Sequence, residues 1–135
     1  RWIGGTLTNF SVIRGRLRRL EELEKMEEDG TISQYSKKVI ASLRRERRKI
    51  DRNLGGIREM NSIPGAAVIV DPSREYNAVR EARKMGLAVI GLLDTDCNPE
   101  GIDIVIPGND DALKSVRLLV ESLVTAVEEG AANAR

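Results

Sequence analysis

The 135-residue chain has no histidine, a single cysteine (Cys97), and only four aromatic residues: Trp2, Phe10, Tyr35 and Tyr76. Without histidine it lacks the commonest general base and the commonest metal ligand. One cysteine excludes an intrachain disulfide and a CxxC zinc motif, and fits a reducing compartment. No Ser–His or Cys–His pair exists for nucleophilic catalysis, and no glycine-rich phosphate loop follows any expected strand. No apolar run approaches the roughly 20 residues that span a bilayer, and no charged-then-apolar signal segment opens the chain. The expectation is a soluble, intracellular protein with no membrane partner and no small-molecule substrate.

What is present is charge, and it is segregated. The formal net charge is only +1, but residues 1–61 hold 15 Lys/Arg against 9 Asp/Glu, while residues 62–111 hold 4 against 9. A basic front followed by an acidic segment points to a polyanionic partner for the front.

Hydrophobic periodicity organises the front into two helices. Thr8 is the expected N-cap of the first, which runs to about Met26 with Phe10, Ile13, Leu17 and Leu20 on one stripe. Asp29-Gly30 marks a turn, and residues 31–35 form a tip loop. Ser36 caps a second helix to about Leu54, with Ile40, Leu43, Arg47, Ile50 and Leu54 in a heptad-like stripe that continues to Ile57. Gly55-Gly56 reads as a left-handed C-terminal cap. Packed antiparallel, Ile13 faces Leu54, Leu17 faces Ile50, and Leu20 faces Arg47, whose methylenes line the seam while its guanidinium stays wet.

The rest of the chain alternates strands and helices, which implies a parallel sheet. Residues 66–71 and 88–94 are apolar runs that suit strands buried on both faces, each ending in an aspartate. Residues 102–106 are a third strand. A helix over 74–85 turns Ala78, Val79, Ala82 and Met85 inward and closes at Gly86. A final helix, capped by Asn109 or Asp110, carries Leu113, Val116, Leu119, Val120, Leu123, Val124 and Val127 inward and ends at Glu129-Gly130. The expected organisation is a loop and basic coiled-coil hairpin over 1–57, a partial α/β domain over 58–130, and a flexible tail over 131–135. The chain starts at Arg1, inside an apparent loop, and offers three strands where sheets usually carry about four to six. A further piece is expected upstream.

Ten cations crowd the base of the hairpin: Arg14, Arg16, Arg18 and Arg19 on the first helix, and Arg44, Arg45, Arg47, Arg48, Lys49 and Arg52 on the second. Their mutual repulsion needs an offset, and a phosphate backbone supplies one while releasing counterions. Nine of the ten are arginine, which favours bidentate phosphate contacts. Glu21, Glu22, Glu24, Glu27, Glu28 and Asp29 lie nearer the tip, so the hairpin is bipolar. The bland alternative is a solvated coiled coil laced by pairs such as Arg18–Glu22, each contributing roughly 0–1 kcal/mol. No aromatic interleaves with the basic cluster, so recognition rests on the shape and phosphates of a folded RNA rather than on stacked single strands.

Asp71 and Asp94 end strands, which places them along the sheet edge where α/β proteins bind ligands. With Asp96, Asp110 and Asp111 nearby they are candidates for Mg²⁺ or another divalent ion. The structural alternative is that these residues cap helices and bond loop amides. Cys97 reads as an incidental surface thiol.

Several ordered pieces resemble the bacterial-type family of small ribosomal subunit protein two. They are Arg1-Trp2-Ile3-Gly4-Gly5-Thr6-Leu7-Thr8-Asn9-Phe10, Leu54-Gly55-Gly56-Ile57, Pro64 to Asp71 with Glu75 and Glu81, Asp94-Thr95, Gly101-Ile102-Asp103, and Ile106 to Asp111. The resemblance covers essentially the whole chain. It implies a flavodoxin-like (Rossmann-like) α/β sheet with a protruding antiparallel coiled-coil hairpin. It also implies a non-catalytic constituent of the small ribosomal subunit that binds small-subunit rRNA and neighbouring ribosomal proteins, including the large mRNA-binding one. The setting it implies is the ribosome of a bacterial cytoplasm, with plastid and mitochondrion as alternatives. In the loop, Arg1, Trp2, Gly4, Gly5, Thr8 and Asn9 carry the motif. No cofactor is required, although some members resemble a metal site whose aspartates match Asp94, Asp110 and Asp111, joined by a histidine that this chain lacks. Members usually begin with further helix and strand segments, so the chain resembles a C-terminal fragment. Two other readings compete: a metal-dependent α/β enzyme using Asp71, Asp94 and Asp110, and a coiled-coil module that binds protein only.

Overall fold

A computed structural model describes residues 2–133. The chain divides into two compact units, Arg1–Pro64 and Gly65–Arg135. The division falls at the Pro64-Gly65 step, where proline and glycine interrupt regular structure.

The first unit is built on helix α1 (Phe10–Glu28) and helix α2 (Lys37–Leu54), joined by a 3₁₀ turn over Thr31–Gln34. Ile13, Leu17, Leu20 and Leu23 recur every three or four residues on α1 and are buried against Ile50 and Leu54 of α2. Ile3, Met26, Leu43 and Ile57 pack around this cluster. Burying such side chains is worth roughly 1.5–3 kcal/mol each relative to exposure, so the shared stripe, more than helix propensity, holds the pair together. Ile32 of the tip turn is also buried, and Gly30 supplies the left-handed backbone (φ 70°) that starts it.

Three local expectations change. Residues 3–9 coil into turns, with Thr6 N–H donating to Ile3 O and Asn9 N–H to Gly5 O, so α1 is entered at Asn9 rather than Thr8. Gly55 is not a left-handed cap. Its φ is −56°, and a 3₁₀ turn, Gly55–Ile57, continues from α2. A Cβ there would lie 2.8 Å from Asp51 Oδ1, the end of an exposed side chain that can turn aside. Arg47 does not keep its whole guanidinium wet. Its Nε is buried, 3.0 Å from Glu27 Oε2 but out of line for a hydrogen bond.

The second unit is an α/β fold. Strands β1 (Ala66–Val70), β2 (Ala88–Leu93) and β3 (Ile104–Pro107) form a parallel sheet in the order β1-β2-β3. Ala66 pairs with Ala88, and Ile90 with Ile104. Helix α3 (Tyr76–Lys84) crosses from β1 to β2 and buries Ala78, Val79 and Ala82. Gly86 (φ 73°) ends that crossover. Strand β3 begins at Ile104 rather than at residue 102 and ends with Pro107, which pairs with Leu93.

The strands are not buried on both faces. Register-matched residues of parallel strands point to the same side, so Val68, Ile90 and Ile104 share a face, and Val68 and Ile104 are exposed. Helix α4 (Leu113–Asn133) departs further from expectation, since none of its residues is buried. It touches the sheet near Leu119: a Cβ at Gly108 would meet Leu119 and Leu92 at 3.0 Å each. The helix also runs through Gly130 to Asn133 instead of ending at Glu129-Gly130. Residues 134–135 of the expected tail lie outside the described residues. Among the described residues, no helix is long and apolar enough to cross a membrane.

Candidate nucleic-acid interface

Successive helical residues are rotated by about 100°, so residues two apart lie on nearly opposite sides. Arg45 is two residues from Leu43, and Arg48 and Arg52 are each two from Ile50. The hydrophobic seam on Leu43, Ile50 and Leu54 therefore forces these three arginines onto the outer face of α2, with Lys49 on their flank. All four are exposed. Arg45 Nε donates to Ala41 O at 3.2 Å, and Arg48 Nε to Arg44 O at 3.3 Å. These bonds lay the side chains back along the helix and satisfy one donor each. No carboxylate pairs with any of the four among the described residues. A shallow groove lined by Lys37, Ile40, Ala41, Arg44, Arg45 and Arg48 runs along the same helix.

The other expected cations divide into two groups. Arg16 and Arg18 on α1 are exposed and unpaired among the described residues, whereas Arg14, half-buried, donates from Nη1 to Arg58 O and Met60 O. Arg19, Arg44 and Arg47 are already committed to carboxylates. Arg19 reaches Glu22 at 3.1 Å and Glu46 at 3.4 Å; Glu27 accepts Arg44 at 2.8 Å and lies 3.0 Å from Arg47. Hydrogen bonds that Arg19 donates to Glu22 and Glu46 raise its pKa above the ordinary value, which fixes the charge without freeing it. The single collar expected from the sequence is thus a free stripe on α2, two free arginines on α1, and an internally neutralised seam. Simple charge counting did not separate these groups, although helical spacing distinguishes most of the stripe from the seam.

Arg58 and Glu24 were missed by sequence reasoning. Arg58 Nη2 lies 2.6 Å from Glu24 Oε2, a pairing that raises the Arg58 pKa and ties the segment after α2 back to α1. They are 34 residues apart in the chain, and no local pattern links them.

The loop ahead of α1 is structural in its described part. Thr6 is buried, and its hydroxyl donates to Ile3 O at 2.6 Å. Gly5 takes φ 90°, and Leu7 is buried. Gly4, Thr8 and Asn9 are exposed and Trp2 is half-buried. Arg1 lies outside the described residues. Thr6 is the buried polar anchor that the expected motif set omitted.

Compared with known proteins, residues 1–130 match the family described as "Ribosomal protein S2". The chain belongs to that family. It is 52% identical over 129 residues to proteins named "Small ribosomal subunit protein uS2" from two strains of Treponema pallidum, one of them strain Nichols. Each match covers 96% of this chain and 44% of the relative, so the chain spans less than half the length of these S2 proteins.

The metal set that the S2 resemblance implies, Asp94, Asp110 and Asp111, does not converge. Asp94 Oδ1 accepts the Thr95 N–H at 2.6 Å, and Asp111 is exposed. Asn109, not Asp110, closes the turn into α4: its Oδ1 accepts from Asp111 N and Ala112 N. Among the described residues, the donors that do converge are Asp71, Cys97 and Asp110, whose ligand atoms lie within 4.8 Å of one another. Cys97 is free and half-buried at the strand ends. One thiol with two carboxylates fits a borderline ion such as Zn²⁺ better than Mg²⁺, which takes oxygen ligands. The fit is weakened because Asp71, held at φ 52°, already bonds Arg74 through both carboxylate oxygens. Asp110 Oδ2 is buried without a hydrogen-bond partner among the described residues. Desolvation, then the nearby charges of Asp71 and Asp94, push the Asp110 carboxyl above its ordinary pKa.

Proposed function

We propose that this chain forms part of a non-catalytic constituent of the small ribosomal subunit and binds small-subunit rRNA through the outer face of α2. The observation carrying this reading is the stripe Arg45, Arg48, Lys49 and Arg52: four exposed cations on one helix, free of carboxylates among the described residues, in a chain of the S2 family. Phosphates are the natural counter-charge for such a stripe, and contacts to them fix register without reading sequence. Arg16 and Arg18 extend the positive surface on α1. The partners that follow are rRNA and neighbouring small-subunit proteins, including the large mRNA-binding one, on the ribosome of a bacterial cytoplasm. No cofactor or small-molecule substrate enters this reading.

The test replaces Arg45, Arg48, Lys49 and Arg52 together by glutamine and titrates a folded small-subunit rRNA fragment across a series of KCl concentrations. Each lost phosphate contact should flatten the slope of log K against log[salt] by close to one. Replacing Arg19, Arg44 and Arg47 instead should change the slope less, because those charges are already neutralised. An unaltered slope in the stripe variant overturns the proposal.

A further inference from the structure

A second cationic surface lies in the acidic half of the chain. Tyr76, Arg80 and Arg83 follow one another at helical spacing on α3, and burial of Ala78 and Ala82 against the sheet turns Tyr76 and Arg80 outward. Tyr76 is 62% exposed, which is far from how a tyrosine is kept in a core. Together with Ser73 and Asn98 these three residues line a cleft of ≈ 530 Å³, inside the range of about 300–1,000 Å³ usual for small-ligand sites. Arg83 is laid across Gly101, where a Cβ would come within 3.0 Å of its Nη1 and 3.2 Å of its Cδ. Glycine at φ 90° there thus lets the arginine stem lie flat along the cleft wall.

One carboxylate, Glu100, also lines the cleft. Glu100 Oε2 accepts from Asn98 Nδ2, and Asp103 Oδ2 accepts the Val89 N–H at 2.7 Å. Neither Arg80 nor Arg83 makes an ion pair among the described residues. An exposed aromatic ring beside two unpaired guanidinium groups combines a stacking platform with phosphate donors, the two elements that recognise unpaired nucleotides. The α2 stripe has no aromatic and offers phosphate contact only.

We propose that the cleft beside α3 holds an unpaired RNA nucleotide, its base stacked on Tyr76 and its flanking phosphates held by Arg80 and Arg83. The proposal rests on the reading that this chain binds RNA, but it assigns a different RNA feature to a different surface. Binding of fluorescein-labelled hexa-adenylate, followed by anisotropy with the full chain, tests it. Tyr76→Ala should weaken binding roughly tenfold, Tyr76→Phe should preserve it, and Arg80→Gln with Arg83→Gln should weaken it and flatten its salt dependence. Circular dichroism of each variant confirms folding; should Tyr76→Ala fail to fold, the exposed Arg80→Gln, Arg83→Gln pair carries the test. Failure of the wild-type chain to bind the hexamer, or equal affinity in the wild type and these variants, overturns the proposal. The glutamine variant of the α2 stripe should retain hexamer binding while losing affinity for folded rRNA. If that variant keeps its rRNA affinity while Tyr76→Ala loses the hexamer, the stripe reading fails and the cleft stands. If the stripe variant loses hexamer binding and Tyr76→Ala keeps it, the cleft falls and the stripe stands.

Discussion

The helix pair of the first unit and the long helix of the second use similar amounts of apolar sequence to opposite ends. α1 buries Ile13 and three leucines, with Leu20 at 0% exposure, whereas the 21-residue α4 buries nothing and leaves Val124 at 50% and Leu113 at 82%. The difference lies in what faces each stripe. α1 and α2 supply complementary stripes to one another within a single unit, and their cross-pairs, Arg19–Glu46 and Arg44–Glu27, tie the same two helices. In the second unit, α3 covers part of the sheet, while Val68 and Ile104 are exposed and no residue of the α4 stripe is fully buried. Periodicity therefore identifies a face that can be buried; burial itself depends on a partner surface.

The sharpest way to break this comparison is to remove equivalent apolar groups from both places. Leu20→Ala should cost about 2–5 kcal/mol, the usual range for emptying a fully buried leucine site. Val124→Ala should stay within about 0.5 kcal/mol, as expected of an exposed substitution. Urea titrations followed by circular dichroism measure both. A comparable loss from Val124→Ala would mean that α4 is covered in solution, and the contrast between the units would disappear.

The same distinction explains how much was legible in the sequence. The stripe of Ile13, Leu17 and Leu20 predicts α1 and its packing because the partner stripe, Ile50 and Leu54, follows after one tight turn. The strand–helix alternation likewise gives the parallel sheet. Burial of β1 and α4 was misjudged because an apolar run reports what a segment tolerates, and Val68 looks the same whether covered or bare. The α2 stripe was readable as residue types. The neutralisation of Arg19, Arg44 and Arg47 was not, since it depends on Glu46 and Glu27 meeting them across the helix interface. The convergence of Asp71, Cys97 and Asp110 joins three separate loops and leaves no spacing signature.

A smaller effect probes the polar half of the helix-pair interface. Glu27 sits between Arg44 and Arg47, and Arg47 Nε is buried. Glu27→Gln removes the counter-charge from both arginines at once. The expected cost is about 1 kcal/mol, because breaking a partly buried pair strands a cation while solvent still screens part of it. The double variant Glu27→Gln, Arg47→Met should recover part of that loss, since a methionine can fill the seam without needing a charge partner. No recovery would show that the arginine stem, rather than the ion pair, is what the seam requires.

The smallest effect comes from the second unit and carries the opposite sign. Asp110 has its pKa raised from the ordinary 3.8 in the fold, first by desolvation and then by Asp71 and Asp94. A carboxyl whose folded pKa exceeds its unfolded value makes the folded state bind the proton more tightly, so ionising it opposes folding. That opposition is absent well below the ordinary value of 3.8, grows as pH climbs through the unfolded and then the folded pKa, and is complete at neutral pH. Asp110→Asn should therefore raise the melting temperature at about pH 7, and the gain should shrink as the pH is lowered toward about 4. A gain that stays constant across this range would trace to the packing of the amide rather than to charge. A loss at neutral pH would mean that the carboxylate has a compensating cation, as a metal ion bound with Cys97 and Asp71 would provide; adding EDTA to the wild type should then lower its melting temperature, whereas on the electrostatic account EDTA leaves it unchanged.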